Sequence, residues 1–172
     1  MHAKIAIRPY ADSDARPVRE LFVTVNRMLS PPDMREAFER YIDLSLVEEI
    51  DRISEYYRER GGAFWVATRD GDIVGMFGLE PCHENSYELR RMYVSPEARR
   101  LGIASQMLQF AEDECKRRGG LRMELSTSEL QPAAVALYRS AGYRLVREVV
   151  ADRASNKTIG GGIRRFHFEK VF

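Results

Sequence analysis

A chain of 172 residues with 44 % apolar and 31 % charged side chains suits one compact domain, residues 1–172, with a substantial core and a soluble surface. Its formal net charge of +1 gives no bulk attraction to nucleic acid or to an anionic membrane, and no apolar run approaches the roughly 18–20 residues that span a bilayer. The start, Met1 to Ile5, carries no signal-peptide apolar region, and Cys82 and Cys115 are too few for a disulfide framework and lack metal-ligand spacing. The expectation is a cytoplasmic protein with two reduced thiols, no metal ion, and neither nucleic acid nor membrane as partner.

Taken in chain order, Ile5–Pro9 reads as a short strand closed by its proline. Asp12, Ser13 and Asp14 then offer N-caps to a helix in which Val18, Leu21, Phe22, Val25, Met28 and Leu29 recur at helical spacing up to Ser30-Pro31-Pro32. Asp33 with Glu36 and Ser45 with Glu48 resemble capping boxes and predict helices near 34–44 and 46–60, stopped by Gly61-Gly62. Residues 63–68 and 73–79 are strand-like and joined by Arg69-Asp70-Gly71-Asp72, whose Asp-Gly signals a hairpin. A third strand is predicted over 87–94.

Ile103, Met107, Phe110, Ala111 and Glu114 mark a helix that ends near Gly119-Gly120. A strand over 121–127, a helix over 132–141, and strands over 143–150 and 163–171 complete the chain. The hairpin-rich first half joined to βαβ-like elements predicts an α/β (α+β) domain, with a mixed sheet covered by helices.

The segment from Tyr87 to Ala104 carries the chemistry. It places a strand, a basic turn and a helix start in succession, and a helix start offers unpaired N–H groups at the positive end of its dipole, suited to phosphate or pyrophosphate. Gly102 lacks a Cβ and lets an anion approach the main chain, while Arg99 and Arg100 add charge. Paired arginines are also common on solvated surfaces, so anion binding and a plain surface turn both stand on pattern alone. Neither GxGxxG nor GxxxxGK[ST] occurs. Leu89 and Met92 are both apolar and three residues apart, which breaks strand alternation and predicts a β-bulge.

Arg99-Arg100-Leu101-Gly102-Ile103-Ala104 resembles the (Arg/Gln)-x-x-Gly-x-(Gly/Ala) signature of the GNAT superfamily of acyl-CoA N-acyltransferases. The preceding Arg-Met-Tyr-Val-Ser-Pro and the downstream Ala133–Tyr143 block resemble that family's flanking strand and second conserved block; the likeness covers about residues 63–147 well and the N-terminal third in layout. It implies a mixed, mostly antiparallel sheet with helices on both faces, whose fourth and fifth strands part to admit the pantetheine of acetyl-CoA. It further implies that the main chain of Met92, Tyr93 and Val94 binds pantetheine and that Arg99, Arg100, Leu101, Gly102, Ile103 and Ala104 hold the pyrophosphate. The position seven before Tyr138, commonly Asn in the family, is Gln131 here, which keeps a cofactor-facing amide on a longer arm. Family habit also points to a homodimer.

The implied reaction moves the acetyl group of acetyl-CoA onto a primary amine by direct attack in a ternary complex. A lysine-like amine has a pKa of about 10.4, so at pH 7 its nucleophilic form lies roughly 4.6 kcal/mol uphill and a general base helps. Glu88, just before the bulge, is the candidate base, with Glu80 in reserve; a surface glutamate paired with Arg90 or Arg91 is the competing reading. Tyr138 is the candidate general acid for the departing thiolate, against a reading as a core tyrosine beside Leu137. Cys82-His83 invites a nucleophile reading, but neighbours in sequence rarely face each other and no third orienting residue is evident. Cys115 reads as packing, His2 and His167 lack ligand-like companions, and Tyr41, Tyr56, Tyr57, Phe64 and Trp65 read as core or acceptor-pocket walls. An acyl-CoA-binding regulatory module with little activity is the alternative function, and binding to nucleic acid through the arginine pairs a third.

Overall fold

The computed structural model describes residues 3–172. The N-terminal His2, expected to bind no metal, lies outside the described residues. Seven strands form one sheet in the order β1-β2-β3-β4-β5-β7-β6, with β1 Ile5–Pro9, β2 Ala63–Arg69, β3 Asp72–Pro81, β4 Ser86–Val94, β5 Arg122–Ser128, β6 Arg144–Ala151 and β7 Ile163–Val171. Every neighbouring pair is antiparallel except β4 and β5. The expected mixed and mostly antiparallel sheet is what forms.

Strand alternation sends Phe64 and Val66 of β2 to one face and Trp65 and Ala67 to the other. The first face packs on α1 (Ala15–Leu29), α2 (Arg35–Glu48) and α3 (Ile53–Glu59) through Phe22, Phe38, Ile42 and Tyr57. The second packs on α4 (Ile103–Arg117) and α5 (Pro132–Ser140) through Met107, Ala111 and Tyr138 against Phe77, Leu79, Met123 and Phe168. Helices therefore cover both faces, as expected. No described helix is long and apolar enough to cross a membrane.

Two turn devices set the register that matters for the cleft. Asp70 (φ 51°) and Gly71 (φ 94°) both sit in the left-handed region, the type I′ geometry whose twist matches a hairpin, and they join β2 to β3. The predicted bulge lies in β4: Met76 faces Tyr93 and Gly78 faces Arg90, so Arg91 and Met92 together oppose Phe77. Arg91 takes the strain of it, at φ 55°.

Helix boundaries depart from the sequence reading where capping patterns misled it. α2 runs unbroken through Ser45, which is fully buried inside it, and ends at Glu48; the predicted capping box at Ser45 and Glu48 does not exist. Tertiary burial of Phe38, Tyr41, Ile42 and Leu46 along one stripe overrides that local signal. Neither Asp33 nor Asp12 nor Ser13 caps a helix with its side chain, and Asp14, the N-cap of α1, makes no cap bond into that helix. Asp14 instead accepts the Ala11 N–H at 2.9 Å and two bonds from the Arg8 guanidinium at 2.8 and 2.9 Å, which tie the end of β1 to the start of α1 and hold its carboxyl below the usual range.

Candidate active site

The site begins where two strands separate. β4 and β5 pair only through Ser86–Arg122, Tyr87–Met123 and Glu88–Glu124. Beyond Glu88, β4 stays with β3 while β5 stays with β7 as far as Ser128–Arg165. The edge of Leu89–Val94 that would face β5 therefore meets no strand, and its main-chain groups there are left for other partners. Met92, Tyr93 and Val94 lie on this edge.

A buried ionic cluster fixes the bulge that opens the gap. Glu49, the residue after α2, is fully buried and accepts from Arg90, from Arg91 at 3.1 and 3.2 Å and from the Tyr57 hydroxyl at 2.7 Å. Arg91 also donates to the Tyr41 hydroxyl at 2.8 Å and the Asn156 carbonyl at 2.5 Å. Burial works against the Glu49 charge, but the two arginines win and hold its carboxyl below the usual range. Two consecutive side chains can reach one carboxylate only because the bulge breaks alternation between them.

The basic turn ends in the expected helix start. Arg99 is extended, Arg100 (φ 63°) and Gly102 (φ 75°) are left-handed, and the buried Ile103 anchors α4. The first bond into the helix runs from the Gln106 N–H to the Gly102 carbonyl at 3.1 Å, which leaves the amides of Ile103, Ala104 and Ser105 without an intrahelical partner. A Cβ built on Gly102 would meet nothing within 4 Å, so the space over this main chain is open. Leu101, Arg99 and Arg100 are exposed at the same turn.

Tyr138 sits on α5 at 5 % exposure, edge-on to Tyr143 at 5.9 Å and tilted on Phe168 at 6.2 Å, and it lines the parted strands together with Glu88, Leu89, Met92, Tyr93 and Gln131. Burial pushes its phenol up, and the nearby Arg165 pulls the other way. Its ring is core, and it also borders the gap. The Gln131 main chain bonds the Ser128 carbonyl at 3.0 Å and starts α5, and its side chain lines the same gap.

Glu88 accepts from Lys157 at 3.2 Å and Arg90 at 3.4 Å. Arg91 is not its partner, because the bulge turns that side chain to Glu49. Glu88 also borders a second, larger cavity of about 400 Å³ over β5, β7 and β6. Glu80 is engaged by the Tyr56 hydroxyl at 3.2 Å and by Arg90 at 3.2 Å.

Cys82 and His83 correct the sequence reading. They do converge, on Glu124 of β5: the Cys82 Sγ lies 2.8 Å and the His83 Nδ1 2.7 Å from the same carboxylate oxygen. Among the described residues these three alone bring His, Cys and carboxylate ligand atoms close enough to share an ion. The third group was invisible because it lies forty-one positions from His83. Burial and the Glu124 charge push the thiol up to about 12, so at neutral pH it is a hydrogen-bond donor rather than a thiolate. Cys115 is fully buried in the second core.

Sequence reasoning missed Glu49, Arg165 and Lys157. Glu49 was hidden by the misplaced helix boundary; Arg165 was recoverable as an inward position of β7, and Lys157 lay in a loop without periodicity.

Known proteins match this geometry. Residues 27–143 match the acetyltransferase (GNAT) family. N-acetyltransferase 8 of Homo sapiens is 34 % identical over 120 residues, which cover 64 % of this chain and 51 % of that protein. The uncharacterized N-acetyltransferase YjgM of Escherichia coli (strain K12) is 30 % identical over 97 residues, 55 % of this chain and 58 % of its own. The chain thus spans about half the length of the curated relatives it matches. The crystal structure of PaiA N-acetyltransferase from Thermoplasma acidophilum in complex with coenzyme A superposes with a TM-score of 0.74 over 98 % of this chain and 99 % of that one, at 21 % identity, which establishes the shared fold.

Proposed function

Since the chain belongs to the GNAT family of acetyltransferases, we propose that it transfers the acetyl group of acetyl-CoA to a primary amine by direct attack in a ternary complex. The observation that carries this reading is the parting of β4 and β5 beyond Glu88 beside a helix start whose amides lack partners. Coenzyme A fits that pair of features. The edge of Met92, Tyr93 and Val94 offers strand-like hydrogen bonds to the amides of pantetheine, and the turn from Arg99 to Ala104 offers N–H groups and charge to its diphosphate. The Thermoplasma acidophilum protein that shares this fold was solved with coenzyme A, which supports coenzyme A as the ligand.

The bound thioester supplies an activated acetyl carbonyl. The chain's own residues then manage two protons. Glu88, at the boundary of both cavities, takes the proton the amine must lose, directly or through one water; its carboxylate has four lone-pair sites and two protein partners, so room remains. Tyr138 is held protonated by burial and donates a hydrogen bond to the departing sulfur; Arg165 next to it eases the transfer of that proton. The Cys82 thiol takes no part, because Glu124 and burial keep it protonated. Two free thiols suit a reducing compartment such as the cytoplasm.

The test is release of free thiol from acetyl-CoA on addition of members of an amine library to the purified protein. Amine-dependent release is expected. Calorimetric binding of coenzyme A without release from any amine would instead identify an acyl-CoA-binding module.

A further inference from the structure

The larger cavity carries an imbalance of charge. β7 and β6 place Arg165 and Arg147 on its wall. The carboxylates around them are already engaged: Glu148 with Arg164 at 2.9 Å, Glu88 with Lys157 at 3.2 Å and Glu124 with His83 at 2.7 Å. Among the described residues neither Arg147 nor Arg165 forms a salt bridge. The one side-chain bond of Arg165 runs to the Ser126 hydroxyl at 3.0 Å, and its Nε is buried with no partner. A guanidinium offers five donors, so most of this one's capacity is unspent. His167, on the same wall, is pushed down by burial and by both arginines, so it brings no compensating charge of either sign. The cavity wall therefore holds two guanidiniums that no carboxylate pairs with, although Glu88 and Glu124 line the same cavity.

The same cavity also holds the complement. Glu88 borders both cavities, and the ammonium of Lys157, half-exposed on the 152–162 loop, already rests on it. An ammonium thus fits against Glu88 while an anion is wanted at Arg165 and Arg147.

Building on the acetyl-transfer reading of the site, we infer that the acceptor is a free α-amino acid, its ammonium displacing Lys157 from Glu88 and its carboxylate bound by Arg165 and Arg147. The reaction balances without further reagents. The bound ammonium gives one proton to Glu88, which passes it to solvent; the amine nitrogen bonds to the acetyl carbon as the carbon–sulfur bond breaks; the sulfur takes a proton from Tyr138, whose phenolate is restored by the second proton the nitrogen sheds; and the carboxylate leaves unchanged in the N-acetylamino acid. Planar, two-pronged donors are the groups that distinguish a carboxylate from a neutral amide.

The experiment compares three matched sets of acceptors in the thiol-release assay: α-amino acids, their primary amides and their decarboxylated amines. The amino acids should exceed both other sets in kcat/KM by about 30-fold or more, the scale of a charge-assisted pair. Arg147→Gln, at an exposed position, should erase most of that ratio while changing rates with the decarboxylated amines by less than about threefold; Arg165→Gln, which also touches the proton step at Tyr138, should erase the ratio whatever it does to the rate of the decarboxylated amines. Amides or plain amines that react as well as amino acids would overturn the inference and leave the transfer reading standing. So would variants that slow all three sets equally. If no acceptor releases thiol, calorimetric titration of the amino acids into the coenzyme A-saturated protein decides separately. Binding abolished by Arg147→Gln supports the carboxylate site although the transfer reading fails, and no binding overturns both.

Discussion

Two groups of charge flank the parting of β4 and β5, and they are built in opposite ways. On the side of α2, Glu49 meets Arg90, Arg91 and Tyr57, and Arg91 spends its remaining donors on Tyr41 and Asn156. Every charge there has an opposite charge against it, in a region with almost no access to water, and even the Arg90 Nε, which makes no hydrogen bond, lies 3.2 Å from Glu80. On the side of β7 and β6, Arg165 and Arg147 meet no carboxylate, and a large cavity lies in front of them. Buried charges that match one another hold a backbone shape, here a left-handed arginine at a bulge. Charges left unmatched beside open space are kept for something that arrives.

The sharpest way to break the comparison is to unmatch the matched side. Glu49→Gln should strip two buried guanidiniums of their counter-charge and destabilise the fold by about 3–5 kcal/mol, since an uncompensated buried charge is among the costliest defects. Urea denaturation would show it, and coenzyme A affinity should fall with it as the bulge relaxes. A loss below about 1 kcal/mol would mean that the cluster does not hold β4.

Next in size, Tyr138→Phe should lower turnover by about 100-fold while the dissociation constant for coenzyme A stays within about twofold. The ring packing on Tyr143 and Phe168 survives that change, and the hydroxyl makes no bond that burial would strand. Unchanged turnover would leave Tyr138 as core alone.

Gly102→Val should weaken coenzyme A binding by about tenfold and cost about 1–2 kcal/mol of stability, because a branched side chain resists φ 75° and would stand over the free amides. Isothermal calorimetry and a thermal melt separate the two effects.

The smallest expected effect concerns Cys82. With its thiol pushed up to about 12, the rate of alkylation should keep rising with pH past 9 instead of levelling there, and Cys82→Ser should leave turnover within about twofold. Glu124→Gln removes the neighbouring charge and should bring the alkylation profile to lower pH. A plateau near pH 9 in the unmodified chain would show that the Cys82–Glu124 contact does not govern the thiol.

Much of this was legible in the chain. The strand-like run at 63–68, the Asp70-Gly71 hairpin and the three-residue spacing of Leu89 and Met92 each state a local rule, and each element formed. The turn from Arg99 to Ala104 could be read for the same reason, since a helix start needs only contiguous residues to declare itself. The boundary between α2 and α3 could not. Ser45 and Glu48 satisfy a capping pattern, but Ser45 lies on the stripe of α2 that the sheet buries, and that stripe belongs to the tertiary fold.

By itself the sequence determined the order of elements, the hairpin, the bulge and the glycine turn into α4, all of which rest on residues within a few positions of one another. Only the tertiary structure decided that Arg90 and Arg91 share Glu49, that Cys82 and His83 share Glu124, and that Arg147 and Arg165 share nothing. Charge pairing depends on distances in space between residues far apart in the chain, and a sheet ordered β4-β5-β7-β6 sets those distances without leaving any spacing rule in the sequence.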